Sequence, residues 1–293
     1  MRGSGFPVRL SRLILGVLLP LCAAIQATAQ TLYDATLSSF PDQQGWDFAF
    51  NPATPPPLLT LTNDLLTVDT RAANGTQAGY ARLAPVELDC SRGFALSFSL
   101  RMLAESHTGS SNRAGFSIIV LDREAHGIEL GFWTTSVWAQ ADAPLFVRAE
   151  NAALSTTDQL AHYVLTMNSA GYALYTEGRR ILEGPIRDYQ SFSGFPDPYE
   201  TPNLLFFGDN TSSAQGAWQL GSFSLVLPPV LTASAGGGVS WTSVSNLTFA
   251  IEGSTKLTTW VQLGRVTSSS ENYTFTNAFP IPPDPRFIRI RFP

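Results

Sequence analysis

The sequence predicts an all-β protein built as a sandwich of two sheets. No stretch keeps a long apolar period of 3.6 residues. Period-two alternation recurs instead, most cleanly in Phe94, Leu96, Phe98, Leu100 and Met102, with Ala95, Ser97, Ser99 and Arg101 between them. The stretch from His162 to Leu227 alternates strands and turns, with aromatics in the strands and Gly at the turns. Composition agrees: 14% charged and 44% hydrophobic residues, with 20 prolines in 293 residues, suit an ordered β protein and exclude a disordered or coiled-coil chain.

In chain order, residues 1–29 have the form of a secretory signal. Arg2, Arg9 and Arg12 make a positive start, Leu13 to Ile25 is an apolar run too short to span a bilayer comfortably, and Ala27-Thr28-Ala29 is a small-residue cleavage site. The expectation is export, with no membrane insertion once the leader is removed. Its loss takes away three Arg and no acid, so net charge moves from −5 to −8. No basic patch remains, which argues against nucleic acid as a partner, because phosphate binding needs clustered positive charge. Cys90 becomes the single cysteine, so no intramolecular disulfide can form, and the thiol reads as a small buried hydrophobe.

Pro52 to Pro57 reads as a surface loop, and Leu65 to Asp69 and Ala78 to Ala84 as early strands. The Phe94–Met102 alternation predicts one face buried and the other in water. Phe116 to Leu121 is almost continuously apolar, which predicts cover on both faces. Ile128 to Trp133 and Val137 to Gln140 are close enough to pair as a hairpin. Tyr163 to Met167, Tyr172 to Thr176, Ile181-Leu182, Leu204 to Phe207 and a strand through Phe223 and Leu225 follow. Leu227-Pro228-Pro229 through Gly236-Gly237-Gly238 marks a boundary, since Pro ends a strand and the Gly run gives slack. The expected organisation is therefore a sandwich over 30–227, a linker over 228–238 and a small β module over 239–293. The strands of that module are expected at Val239–Trp241, Thr248–Glu252, Trp260–Leu263, Tyr273–Phe275 and Phe287–Arg291.

A set of short motifs runs through the first module. These are Leu32-Tyr33-Asp34, Gln44-Gly45-Trp46, Glu105-Ser106-His107, Asn112 to Ser117, Gly127 to Trp133, Tyr199 to Asn203, and Phe206 to Ala214. In this the chain resembles the bacterial secreted "choice-of-anchor" domains, which are similar to concanavalin A-like (laminin-G-like) jelly rolls. The tail, with Glu252 to Thr255, Leu257 to Trp260 and Arg286 to Ile290, resembles the small immunoglobulin-like modules of bacterial extracellular proteins. The resemblance implies a jelly-roll fold and a bacterial, extracellular setting. The chain departs from that group in ending Arg289-Ile290-Arg291-Phe292-Pro293 with no terminal hydrophobic span, so release or indirect retention is expected rather than direct anchoring.

Glu129 and Trp133 share one face of their strand, and Trp138 and Gln140 share one face of the next. Paired, they place a carboxylate, an amide and two indoles on one sheet surface, a platform for a polysaccharide or cell-surface glycan. His107 and Arg113, from the Gly/Ser-rich loop, are the other candidate ligand-binding residues. The structural alternative has both indoles in the core and Glu129 bridged to Arg113 or Arg148, because an unpaired buried carboxylate is costly. Should the protein be a glycan lyase or hydrolase, Glu105, His107, Arg113 and Glu129 are the candidate catalytic residues. A paired-carboxylate motif of the E-x-D-x-x-E kind is absent. Asp197, Asp209 and Asn210, with Glu200, are loop oxygens of the type calcium takes, and the resemblance implies a structural Ca²⁺ in some such domains. His126 and His162 read as structural. Three readings follow, each with its own geometry. Binding needs Trp133 or Trp138 exposed in an open groove. Catalysis needs His107 and Glu129 facing each other across it. A purely structural matrix protein has the groove filled and both indoles buried.

Overall fold

The computed structural model describes residues 29–51, 55–107, 109–194, 197–227, 232–233, 239–242, 248–267, 272–275 and 287–291. All but the last residue of the leader, and all of the Pro/Gly linker except 232–233, lie outside the described residues. The chain up to Val226 forms β1 (Ala29–Asp34), β2 (Asp47–Phe50), β3 (Leu58–Thr62), β4 (Leu65–Asp69), β5 (Ala78–Leu83), β6 (Phe94–His107) and β7 (Ser117–Leu121). It continues with β8 (Gly127–Phe132), β9 (Ser136–Asp142), β10 (Leu145–Ala153), β11 (Ala161–Asn168), β12 (Gly171–Thr176), β13 (Arg179–Gly184), β14 (Leu204–Asp209) and β15 (Ala214–Val226).

These strands make two antiparallel sheets. The back sheet runs β13-β12-β11-β6-β15-β4-β3, with β1 added along the C-terminal half of β15. The front sheet runs β10-β9-β8-β7-β14-β5-β2. The fold class is thus all-β, a jelly-roll-type sandwich whose sequence-distant strands pair in the middle of each sheet. Tight turns support the hairpins. Asn63 and Asp64 both adopt positive φ between β3 and β4, as do Glu177 and Gly178 between β12 and β13. Two central residues at positive φ give the twist that a two-residue hairpin requires.

The inward faces meet in one aromatic core. Phe98 and Tyr163 of the back sheet pack on Phe132 of the front sheet, with ring centroids 6.1 and 5.4 Å from it. Trp46 sits between Phe207 and Phe223 at 4.7 and 5.3 Å, and its Nε1 donates to the Leu32 carbonyl. Cys90 is half-buried against this core, and burial together with Asp122 pushes its thiol pKa up, so it packs as an inert hydrophobe.

The strand β6 departs from the simple alternation. Phe94, Leu96, Phe98, Leu100 and Met102 face the core as expected, but Ala95 and Ser97 on the other face are buried too. The cause is the C-terminal segment. It supplies β16 (Thr232–Ala233), β17 (Val239–Thr242), β18 (Thr248–Ser254), β19 (Val261–Thr267), β20 (Asn272–Phe275) and β21 (Phe287–Arg291), arranged as sheets β16-β17-β20 and β19-β18-β21. Phe249 and Ile251 of β18 pack on Ala95, Val164 and Val226, with Ile288, Ile290 and Val266 around them. The back sheet's outer face is therefore an interface within the chain. His162 lies on this side, where its Nε2 meets Ser97 Oγ at 2.7 Å, and burial lowers its pKa.

Candidate functional site

The outer face of the front sheet carries the chemistry-bearing residues. Along β8, Ile128, Leu130 and Phe132 point inward, leaving Glu129 and Gly131 outward and Trp133 just beyond the strand on the same side. Gly131 pairs with Trp138, and Gln140 pairs with Arg148 of the edge strand β10. Gly131 has no room for a side chain, since a Cβ there would lie 2.8 Å from the Trp138 ring and 3.2 Å from Ala114. The indole of Trp138 thus packs directly against the bare backbone of Gly131.

Two clusters grow from this row. The first is closed. Glu129 has no exposed surface. Its carboxylate accepts from the Tyr199 hydroxyl, from Asn210 Nδ2 at 3.1 Å, and pairs with Arg113 Nη2 at 3.2 Å. The Tyr189 hydroxyl accepts from the Glu129 amide at 3.1 Å and donates to the Gln140 carbonyl at 2.7 Å. Tyr189, Tyr199 and Phe192, from the long connection between β13 and β14, stack with Phe146 over Ile119 and Leu121. Burial opposes the charge on Arg113, but Glu129 and Tyr199 outweigh it and hold the guanidinium above its ordinary pKa. The Tyr199 hydroxyl is pushed well above the usual tyrosine value by burial and by Glu129, so it stays a donor.

The second cluster is half open. The Trp133 indole donates from Nε1 to the Arg113 carbonyl at 2.9 Å and remains half-buried. Its ring centroid is 3.9 Å from His107 and 5.1 Å from Trp138, with the two indoles almost perpendicular. The Arg148 guanidinium lies 3.7 Å from both indole centroids. Glu105 fixes the adjacent turn, accepting from Thr134 N and Oγ1 at 2.9 Å each, and stands 3.5 Å from His107 Nε2. The Gln140 amide ties the loop down through the Asn112 carbonyl at 2.7 Å.

All six residues expected to bind ligand lie in or between these two clusters, but unequally exposed. Glu129, Trp138 and Gln140 are fully buried, whereas His107 and Trp133 reach the surface and Arg113 links the two groups. Glu129 meets Arg113 rather than His107, and His107 meets Glu105, so the four residues named for catalysis form two separate pairs. Sequence reasoning did not single out Tyr199 or Asn210 as the partners of Glu129. Their signal lay in the Tyr199–Asn203 and Phe206–Ala214 motifs.

The residues named for a metal point at separate partners. Asp197 accepts from the Tyr199 amide at 3.0 Å. Asp209 accepts from Thr70 Oγ1 at 2.6 Å and from Thr211 N at 3.2 Å, while Asn210 faces Glu129. Among the described residues no three His, Cys, Asp or Glu side chains group around a common point. Burial raises the Asp209 carboxyl well above the ordinary range, against the pull of Thr70 and Thr211.

No protein-family model and no curated protein matches the chain. Among solved structures, a carbohydrate esterase of the Shiga toxin-encoding bacteriophage phi24B is similar at TM-score 0.45 and 13% identity, over 68% of this chain and 99% of that one. A Bacillus subtilis protein of unknown function with a galectin-like fold follows at TM-score 0.41 and 12% identity, over 68% and 96%. The calcium- and mannose-bound lumenal domain of VIP36 follows at TM-score 0.40 and 10% identity, over 72% and 93%. These likenesses are remote, and the architecture rests on the strand topology itself.

Proposed function

We propose that this is an exported bacterial protein whose sandwich binds a polysaccharide or surface glycan without chemistry, with a small immunoglobulin-like module behind it. The observation that carries this reading is the half-open second cluster: an indole reaching the surface on the front sheet, flanked by a histidine, a guanidinium and the polar rim of Ser111 and Asn112. The apolar faces of sugar rings rest on indole, and their hydroxyls take the surrounding polar groups, which is the usual build of a small-ligand site. Against hydrolysis or elimination stands the closed cluster. Glu129 is enclosed by three side-chain partners, and Glu105, 3.5 Å from His107, already accepts two hydrogen bonds from Thr134, so no second carboxylate stands opposite this pair across an open groove.

A glycan array probed with the protein lacking its leader is the test. Binding to at least one polysaccharide, weakened by Trp133→Ala, is expected. Silence across neutral and acidic glycans overturns the reading, and product formation lost in Glu129→Gln replaces it with an enzyme.

A further inference from the structure

The arginine at the open cluster has no acidic partner among the described residues. Arg148 lies on the edge strand β10 between two register shifts, one toward Leu145 and one toward Asn151. Irregularities of this kind re-aim a side chain. Here the side chain is turned onto Trp133 and Trp138. Its orientation is set from one side by Nε, which donates to the Ser111 carbonyl at 2.8 Å. No carboxylate lies within ion-pair distance of it among the described residues, whereas Arg113 meets Glu129 and Arg187 meets Glu150. Arg148 Nη2 is buried without a hydrogen-bond partner. So is Nε1 of Trp138, whose fully buried ring is the one Arg148 covers, and so is Oε1 of Gln140, the cross-strand neighbour of Arg148. A guanidinium with no carboxylate in ion-pair reach among the described residues, set against an indole that reaches the surface, is the complement of a sugar carboxylate. Burial lowers the Arg148 pKa, with only Glu105 opposing, which fits a cation whose charge is incompletely answered.

Resting on the glycan-binding reading above, the geometry points to an acidic polysaccharide as the ligand class, with a sugar carboxylate received by the Arg148 guanidinium where it borders the half-exposed Trp133 ring. An arginine held against aromatic rings, with its Nε fixed on a carbonyl, is pre-organised for such a two-point contact, and lysine is not its equivalent. Polymers of uronic acids supply the chemistry, and neutral glucans or mannans do not.

The probe is polygalacturonate, compared with the same polymer fully methyl-esterified, on the intact protein at moderate ionic strength. The acid form is expected to bind and the ester at least about tenfold more weakly, the size of one lost charged contact. Arg148→Gln should reduce binding of the acid form to the level of the ester. Arg148→Lys should recover it only in part, and Arg180→Gln, an exposed site on the other sheet, should change nothing. Equal binding of acid and ester, or binding of neutral polysaccharides only, overturns carboxylate recognition and leaves the glycan reading standing. Failure to bind any polysaccharide, charged or neutral, overturns both. The comparison of acid with ester uses one unaltered protein, so it does not depend on a variant folding.

Discussion

The two outer faces of the sandwich differ in what covers them. The back sheet presents small and branched apolar residues, Ala95, Val164 and Val226, and the chain's own C-terminal strands close over them through Phe249 and Ile251. The front sheet presents Glu129, Trp138, Gln140 and Arg148, covered at one end by Tyr189, Tyr199 and Phe192 and left half open at Trp133 and His107. Apolar surface is satisfied by any apolar partner of the right shape, so a tethered sheet can serve. Polar and charged groups demand specific partners, and wherever the chain does not supply them a ligand has something to recognise. The back face is thus finished within the molecule, and part of the front face is not.

The largest effect that tests this contrast belongs to the closed front cluster. Glu129→Ala leaves Arg113 buried and unpaired and should cost about 3–5 kcal/mol, read as a fall in urea midpoint. A change under about 1 kcal/mol would mean that the cluster is open to water and the two ends of the front face are alike. On the back face, Phe249→Ala should cost about 3 kcal/mol of local stability. Hydrogen exchange should show it as lost protection in β18, β19 and β21, with β8 and β9 unaffected. If the front strands lose protection equally, the two faces are not independent.

At the open end the effect moves from stability to binding. Trp133→Ala should weaken glycan binding by at least about tenfold, about 1.4 kcal/mol. Its melting temperature should fall far less than that of Glu129→Ala. Unchanged affinity would place the ligand elsewhere on the molecule.

A smaller, pH-dependent effect is expected at Asp209. Its carboxyl is raised in the folded state, so the folded form binds its proton more tightly than the unfolded form does. Its contribution to stability is full below the unfolded carboxylate pKa, about 3.9, and is lost as pH rises toward the folded value. Asp209→Asn, which can keep the contacts to Thr70 and Thr211, should therefore gain on the native protein as pH rises from 4 to 8. Melting curves across that range check the sign. A constant difference would mean that Asp209 is ionised in the fold.

The legible part of this protein is the part governed by period. Phe94 to Met102 announced its core face, because alternate side chains of a strand must point to opposite sides, and the unbroken apolar run Phe116 to Leu121 announced cover on both. The hairpin of β8 and β9 followed from two short strands separated by a few residues, and the structure set its register, with Gly131 opposite Trp138. The candidate site was legible as a set of residue types on one face, since Glu129 and Trp133, or Trp138 and Gln140, stand two or four residues apart along a strand. Exposure was not legible. Glu129 and Trp133 look alike by position, yet one is enclosed by Tyr199, Asn210 and Arg113 and the other reaches solvent. Tyr199 is 70 residues from Glu129, and nothing local tells where a connection that long will fold back. The choice of Arg113 rather than Arg148 as the partner of Glu129 was equally open, and it is settled by the register of the edge strand.

By itself, then, the sequence determined the all-β class, the positions of many strands and the sidedness of those that alternate clearly, because backbone sterics and the alternation of side chains act between near neighbours; β2, β3 and β10 carried no such signal, and Glu105 and His107, expected on a loop, lie at the end of β6. Only the tertiary structure decided that Ala95 and Ser97 are covered, that Glu129 is locked into an ion cluster, and that Arg148 rests on two indoles with no carboxylate in ion-pair reach among the described residues. Those outcomes depend on contacts between segments far apart in the chain, where burial and pairing are set by what arrives in space rather than by what is adjacent in sequence.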